Sequence, residues 1–181
     1  MTDGNDAGRY LILGTIDGLL AVLGIIMGLA VTTPHTEIIV KAALGGGLAL
    51  CLTNGIGSYL AETAVEYGRI SSVERAMLED LRDTHIEKTA RRKIVRDSLI
   101  SGVSSLIGSV IPIVPFLVLS GVPAIATSVA ISALTLIGLG LFSSHVSGQS
   151  AFWSVVRMFG LGALIFVVCT AVGLIVGITY V

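Results

Sequence analysis

Charge is scarce in this chain. Only 13% of its 181 residues are Asp, Glu, Lys or Arg, while 54% are hydrophobic and the mean hydropathy is +0.94. A surface so poor in charge excludes an ordinary soluble globular domain. Cysteine is nearly absent: Cys51 and Cys169 both fall inside apolar runs, which excludes a disulfide framework and a CxxC-type metal site and leaves packing as their expected role. There is no HExxH, nucleotide-binding loop, nucleophile elbow or haem motif, so primary pumping and intramembrane hydrolysis have no visible residues.

What the chain does have is length in apolar runs. A spanning helix needs about 20 mostly apolar residues, and such stretches occur at 10–32, 38–62, 98–120, 122–143 and 153–180. The expectation is an all-α, polytopic membrane protein: one domain, 1–181, of five transmembrane helices, with a short charged helical segment at 67–96 between the second and third. Eight of the eleven Lys and Arg residues lie in that segment (Arg69, Arg75, Arg82, Lys88, Arg91, Arg92, Lys93, Arg96). The positive-inside rule places it in the cytoplasm, with the N-terminus on the same side and the C-terminus opposite; Arg157 agrees. The first stretch is too long for a signal-peptide core and lacks a basic leader, so it is expected to remain in the mature protein.

Short connections at Pro34–Glu37 and Ser120–Pro123 predict antiparallel hairpins of helices one and two and of helices three and four. Gly14/Gly18, Gly24/Gly28 and Gly173/Gly177 have the spacing that lets helices approach closely in lipid, at a subunit interface or within the protomer. Those of the first helix, beside Asp17, are expected to offer a dimer contact. The third stretch is rich in Ser and Gly, and Pro112 and Pro115 predict a kink near its end.

Ionisable groups inside a bilayer cost about 2.5–3.5 kcal/mol on insertion scales, so each invites an explanation. Asp17 lies about seven residues, roughly 10 Å, into the first stretch, too deep to snorkel; a structural acid bonded to Thr15 or to a neighbouring helix is the alternative to a functional one. Asn54, Ser58, Glu62 and Glu66 recur at four-residue steps and form a polar ridge along the second helix, with Glu66 expected at or outside the membrane interface. Carboxylates and amides suit hard or borderline divalent cations. A carboxyl in a low-dielectric setting also binds protons readily, which permits exchange of a proton for a metal ion. In the charged segment Glu79, Asp83 and Glu87 recur every four residues, either as a solvated helix face or as an acidic stripe that attracts cations.

Together these residues resemble a known family. Asp17-Gly18-Leu19-Leu20 with Gly24 and Gly28, then Thr53-Asn54-Gly55-Ile56-Gly57-Ser58-Tyr59-Leu60, are similar to the first two helices of the vacuolar iron transporter family. Gly108 through Phe116 resembles its third-helix Gly-x-x-Ile-Pro-x-x-Pro-aromatic signature, and Ser147-Gly148-Gln149-Ser150 with Gly160 and Gly162 its passage into the fifth helix. The resemblance implies a five-helix protomer and a homodimer with the path at the subunit interface. It also implies exchange of ferrous or manganous ion for protons, with Asp17 as the family's first-helix acid.

Two positions depart from the pattern: Asn54 stands where the family has methionine, and Gly46 where it has glutamate. The long Glu- and Met-rich cytoplasmic domain of the family's iron loaders is missing too, with Glu79, Asp80 and Asp83 as a weak substitute. The expected function is a proton-coupled carrier exporting iron or manganese from the cytosol, leaning towards manganese or broad selectivity. Asp17, Asn54, Glu62 and Glu66 form the metal path. No cofactor is permanently bound; the partners are the metal ion, protons, the lipid bilayer and a second copy, not nucleic acid. The rival is a non-transporting scaffold or metal sensor, since two matched ligands are lost.

Overall fold

The computed structural model describes residues 3–77, 84–147 and 150–179. Its elements are α1 (Asp3–Ala30), α2 (Thr36–Met77), α3 (His85–Val110), a single 3-10 turn (Val114–Leu117), α4 (Val122–Ser147) and α5 (Ala151–Thr179). Among the described residues four helices, α1, α2, α4 and α5, are long and apolar enough to cross a membrane.

The third stretch is not a fifth helix of that kind. The N-terminal half of α3 is charged, and from Ser98 to Val110 it runs for only about 20 Å at 1.5 Å per residue, short of a hydrocarbon core of about 30 Å. Pro112 has no N–H to continue the ladder; Ser128 of α4 donates to the Pro112 carbonyl oxygen at 2.7 Å, and the chain continues through the 3-10 turn. This offset alters the expected second hairpin. α4 meets the 3-10 turn and then packs on α5 and α1 rather than along α3. The connection turns at Gly121, whose φ of 68° suits glycine.

α1 is the central helix: 61% of its apolar window is buried, against 11% for α5. Its glycines explain this. A Cβ on Gly14 or Gly18 would fall on Ser104 or on the Ser105 carbonyl oxygen, and one on Gly108 of α3 would fall on the Thr15 carbonyl oxygen, so α1 and α3 touch backbone to backbone. Gly24 abuts the Cys169 sulfur and Gly173 the Gly28 carbonyl, which brings α5 against the other side of α1. The first-helix glycines are therefore occupied within the chain, and the dimer contact expected of them is not what they provide. Gly177 likewise faces Thr32.

The segment read as a separate charged helix is divided between two others. α2 is 42 residues, about 63 Å, roughly twice the hydrocarbon thickness, and its distal part pairs with the start of α3 in an antiparallel charged hairpin. Ile70 and Ala90 form a small apolar core there. At the other end of the bundle Val22, Ile26, Ile39, Ala43, Ile113, Phe116 and Ala124 form the main core.

Candidate functional site

Between these two apolar ends runs a polar seam. On α2, polar side chains recur every four residues at Asn54, Ser58, Glu62 and Glu66; on α3, running the other way, they recur at Ser105, Ser101, Asp97 and Lys93. The Asn54 amide nitrogen donates to Ser105 Oγ at 2.7 Å, Ser58 Oγ to Ser101 Oγ at 2.8 Å, and Lys93 Nζ to Glu66 Oε1 at 2.8 Å. Each four-residue step forward on α2 is matched by one backward on α3. Gly55 and Gly102 face each other within this register and allow the two helices to close.

Asp17 joins the seam from α1. Because Gly14 and Gly18 seat α1 on Ser101, Ser104 and Ser105, the side chain between them reaches Asn54, whose amide nitrogen donates to Asp17 Oδ2 at 2.7 Å. Thr15 is not its partner; Thr15 Oγ1 donates to the Leu11 carbonyl one turn back. Among the described residues no Lys, Arg or His pairs with Asp17. Both amide protons of Asn54 are in use, so nitrogen rather than oxygen meets Asp17. A half-turn about χ2 would exchange them.

Asp17 and Asn54 line a cavity of about 750 Å³ with Ser58, Ser101, Ile25 and Cys169. Cys169 is thus more than packing: it stands in the wall of the space that Asp17 faces. Gly46 borders the same region, since a Cβ there would fall on Ile25 Cδ1, so a longer residue would have to displace Ile25 from the wall. Among the described residues no three His, Cys, Asp or Glu side chains converge. Beside Asp17 the same wall offers the neutral oxygens of Asn54, Ser58 and Ser101 and the Cys169 sulfur.

Glu62 accepts a hydrogen bond from the Tyr10 hydroxyl of α1. Glu66, expected at or outside the membrane interface, is buried by protein, held by Lys93 and, at 3.5 Å, by Arg69. It lines a second cavity, of about 540 Å³, with Arg69, Ile70, His85 and Lys93. Glu79, Asp80 and Asp83 lie outside the described residues. Sequence reasoning missed Asp97, which is fully buried on α3. The signal was present: Asp97, Ser101, Ser105 and Ser109 repeat every four residues and mirror the ridge on α2.

The exterior is the reverse of the seam. Leu44, Leu48, Leu52, Ile56 and Leu60 of α2 and Leu164, Val167 and Val168 of α5 are exposed and apolar. A helical bundle with an apolar exterior and its polar groups gathered in one seam between helices is an integral membrane protein. The chain belongs to the VIT family, whose model matches residues 69–174. It is also 33% identical over 171 residues to the uncharacterized protein MJ0645 of Methanocaldococcus jannaschii, covering 92% of this chain and 88% of that one. Membership in this family of membrane transporters points to metal transport rather than to an enzyme, and the short chain fits a member without the long extra domain.

Proposed function

We propose that the protein is a proton-coupled carrier of divalent metal, ferrous iron or manganese, that exports the ion from the cytosol. The observation that supports this best is Asp17, a carboxylate within an apolar helix that lines a cavity and whose partner is the neutral amide of Asn54. Such a group calls for a cation from solution, and a proton and a metal ion are the two that compete for it. Asp17 binds the ion, Asn54 contributes its amide oxygen after turning, and Glu62 and Glu66 guide ions from the charged hairpin. The ligand set is oxygen-rich, with Cys169 the one soft atom at the cavity wall, which fits manganese or broad selectivity.

In this reading α3 and the 3-10 turn together form the fifth span, the charged hairpin and N-terminus are cytoplasmic, and the C-terminus is opposite. The working unit is a homodimer. Asp17 is exposed on the surface of the single chain, and a carboxylate at that depth does not face lipid, so a second copy covers it. Metal uptake into proteoliposomes under a pH gradient, compared across iron, manganese, cobalt, zinc, magnesium and calcium, tests the proposal. Uptake of iron or manganese with matched proton movement is expected; binding without flux would favour a scaffold or sensor.

A further inference from the structure

The two cavities stop one rung short of each other. The larger reaches the Ser58–Ser101 rung and the smaller the Glu66–Lys93 rung, and neither is lined by Glu62 or Asp97. By the register of the measured rungs on either side, Glu62 stands opposite Asp97. The partition between the cavities is therefore a rung of two carboxylates.

Its bonding is incomplete. Asp97 has no exposed surface; Arg96 Nε donates to its Oδ1 at 2.9 Å, and Oδ2 has no hydrogen-bond partner among the described residues. Among the described residues Glu62 receives only the neutral Tyr10 hydroxyl, and Asp97 lies within electrostatic reach of that same hydroxyl. The next cation along, Lys93, is engaged by Glu66. Two carboxylates at one level repel, and Arg96 offsets only one of the charges. A buried acceptor left without a partner is costly. One more cation completes the rung, and the donors available to it, two carboxylates and a phenol, with the Ser58 and Ser101 hydroxyls one turn away, are all oxygen. That is the donor set of a hard divalent ion.

We propose that Glu62 and Asp97, capped by Tyr10, form a second divalent-cation site, which an ion crosses between the Glu66 cavity and the Asp17–Asn54 cavity. This rests on the carrier reading above and adds Asp97 to it as a ligand. The test counts manganous ions bound per chain in purified, nanodisc-embedded protein by equilibrium dialysis and electron paramagnetic resonance, with flux measured in parallel. Wild type is expected to bind two ions. Asp97→Asn and Glu62→Gln should each bind one and slow flux at least tenfold, Asp17→Asn should bind one, and Asp17→Asn/Asp97→Asn none. Glu62→Gln keeps the test valid if Asp97→Asn fails to fold. Two ions in folded Asp97→Asn, or a single wild-type ion removed by Asp17→Asn alone, overturns the second site and leaves the carrier standing. Two ions in wild type, one of them lost with Asp97, but no flux, sinks the carrier and keeps the site.

Discussion

Between Asn54 and Glu66, α2 presents a polar side chain at every turn; the hydrogen bonds of Asn54 and Ser58 cross to another helix, as does the shorter of the two that hold Glu66. Along α4 the hydroxyls mostly turn back on their own helix: Thr127 donates to the Pro123 carbonyl, Thr135 to Ile131 and Ser144 to Leu141. The α4–α5 contact is made by Gly140 against Val155 and Leu136 against Gly162. Both regions carry polar residues within apolar helices, but in the seam a partner on a second helix recurs rung after rung, whereas along α4 Ser128, which donates to the Pro112 carbonyl oxygen, is one such contact beside hydroxyls that turn back. A hydroxyl that satisfies itself locally is packing; one that needs a second helix fixes register and makes a place for an ion.

The widest gap between the regions should appear in glycine variants. Gly18→Leu drives a side chain into the Ser105 backbone, which cannot give way, at a cost of about 3 kcal/mol or more. Loss of monodisperse protein is expected on size-exclusion chromatography. Gly160→Ala in α5 meets nothing within 4 Å, so its thermal unfolding should be unchanged or slightly raised. Equal effects at the two positions would erase the distinction.

Next in size is the buried ion pair. Among the described residues Lys93→Met leaves Glu66 with only the 3.5 Å contact from exposed Arg69, and about 3 kcal/mol of stability should be lost. Combining it with Glu66→Gln should recover most of that loss in a double-mutant cycle. Asn54→Met should fold normally and shift the transported series towards softer metals, since a thioether replaces an amide beside Asp17. An unchanged rank order, with Asn54→Ala also silent, would remove Asn54 from the ligand set. Smallest of all is Lys41→Ala, which breaks an exposed pair with Glu37 and should leave unfolding unchanged within error.

Much of the seam was legible beforehand because a four-residue repeat on a helix fixes a face; the ridge from Asn54 to Glu66 and the depth of Asp17 follow from that alone. Periodicity does not say which helix a face meets. Gly14 and Gly18 announced a close approach, yet their partner, the α3 backbone, became visible only in three dimensions. Glu66 looked peripheral by distance along the chain and is buried because α2 runs well beyond the length of one span, with α3 laid against it. Asp97 escaped notice because it follows five basic residues in nine positions, 88–96, and reads as the end of a solvated run rather than as part of the seam.

In the proposed carrier Asp17 is the group at which metal and proton compete. Asn keeps the size and hydrogen-bonding capacity of that side chain but carries neither the charge nor the proton. The direct measurement is a pH-dye assay in proteoliposomes with a mirrored metal-flux assay, on wild type and Asp17→Asn matched for elution and thermal unfolding. Metal-driven proton movement is expected in wild type and not in the variant, with dimerisation intact. Coupled flux at wild-type rate in Asp17→Asn would contradict the account, and a variant that cannot fold would make Asp17 a structural acid instead.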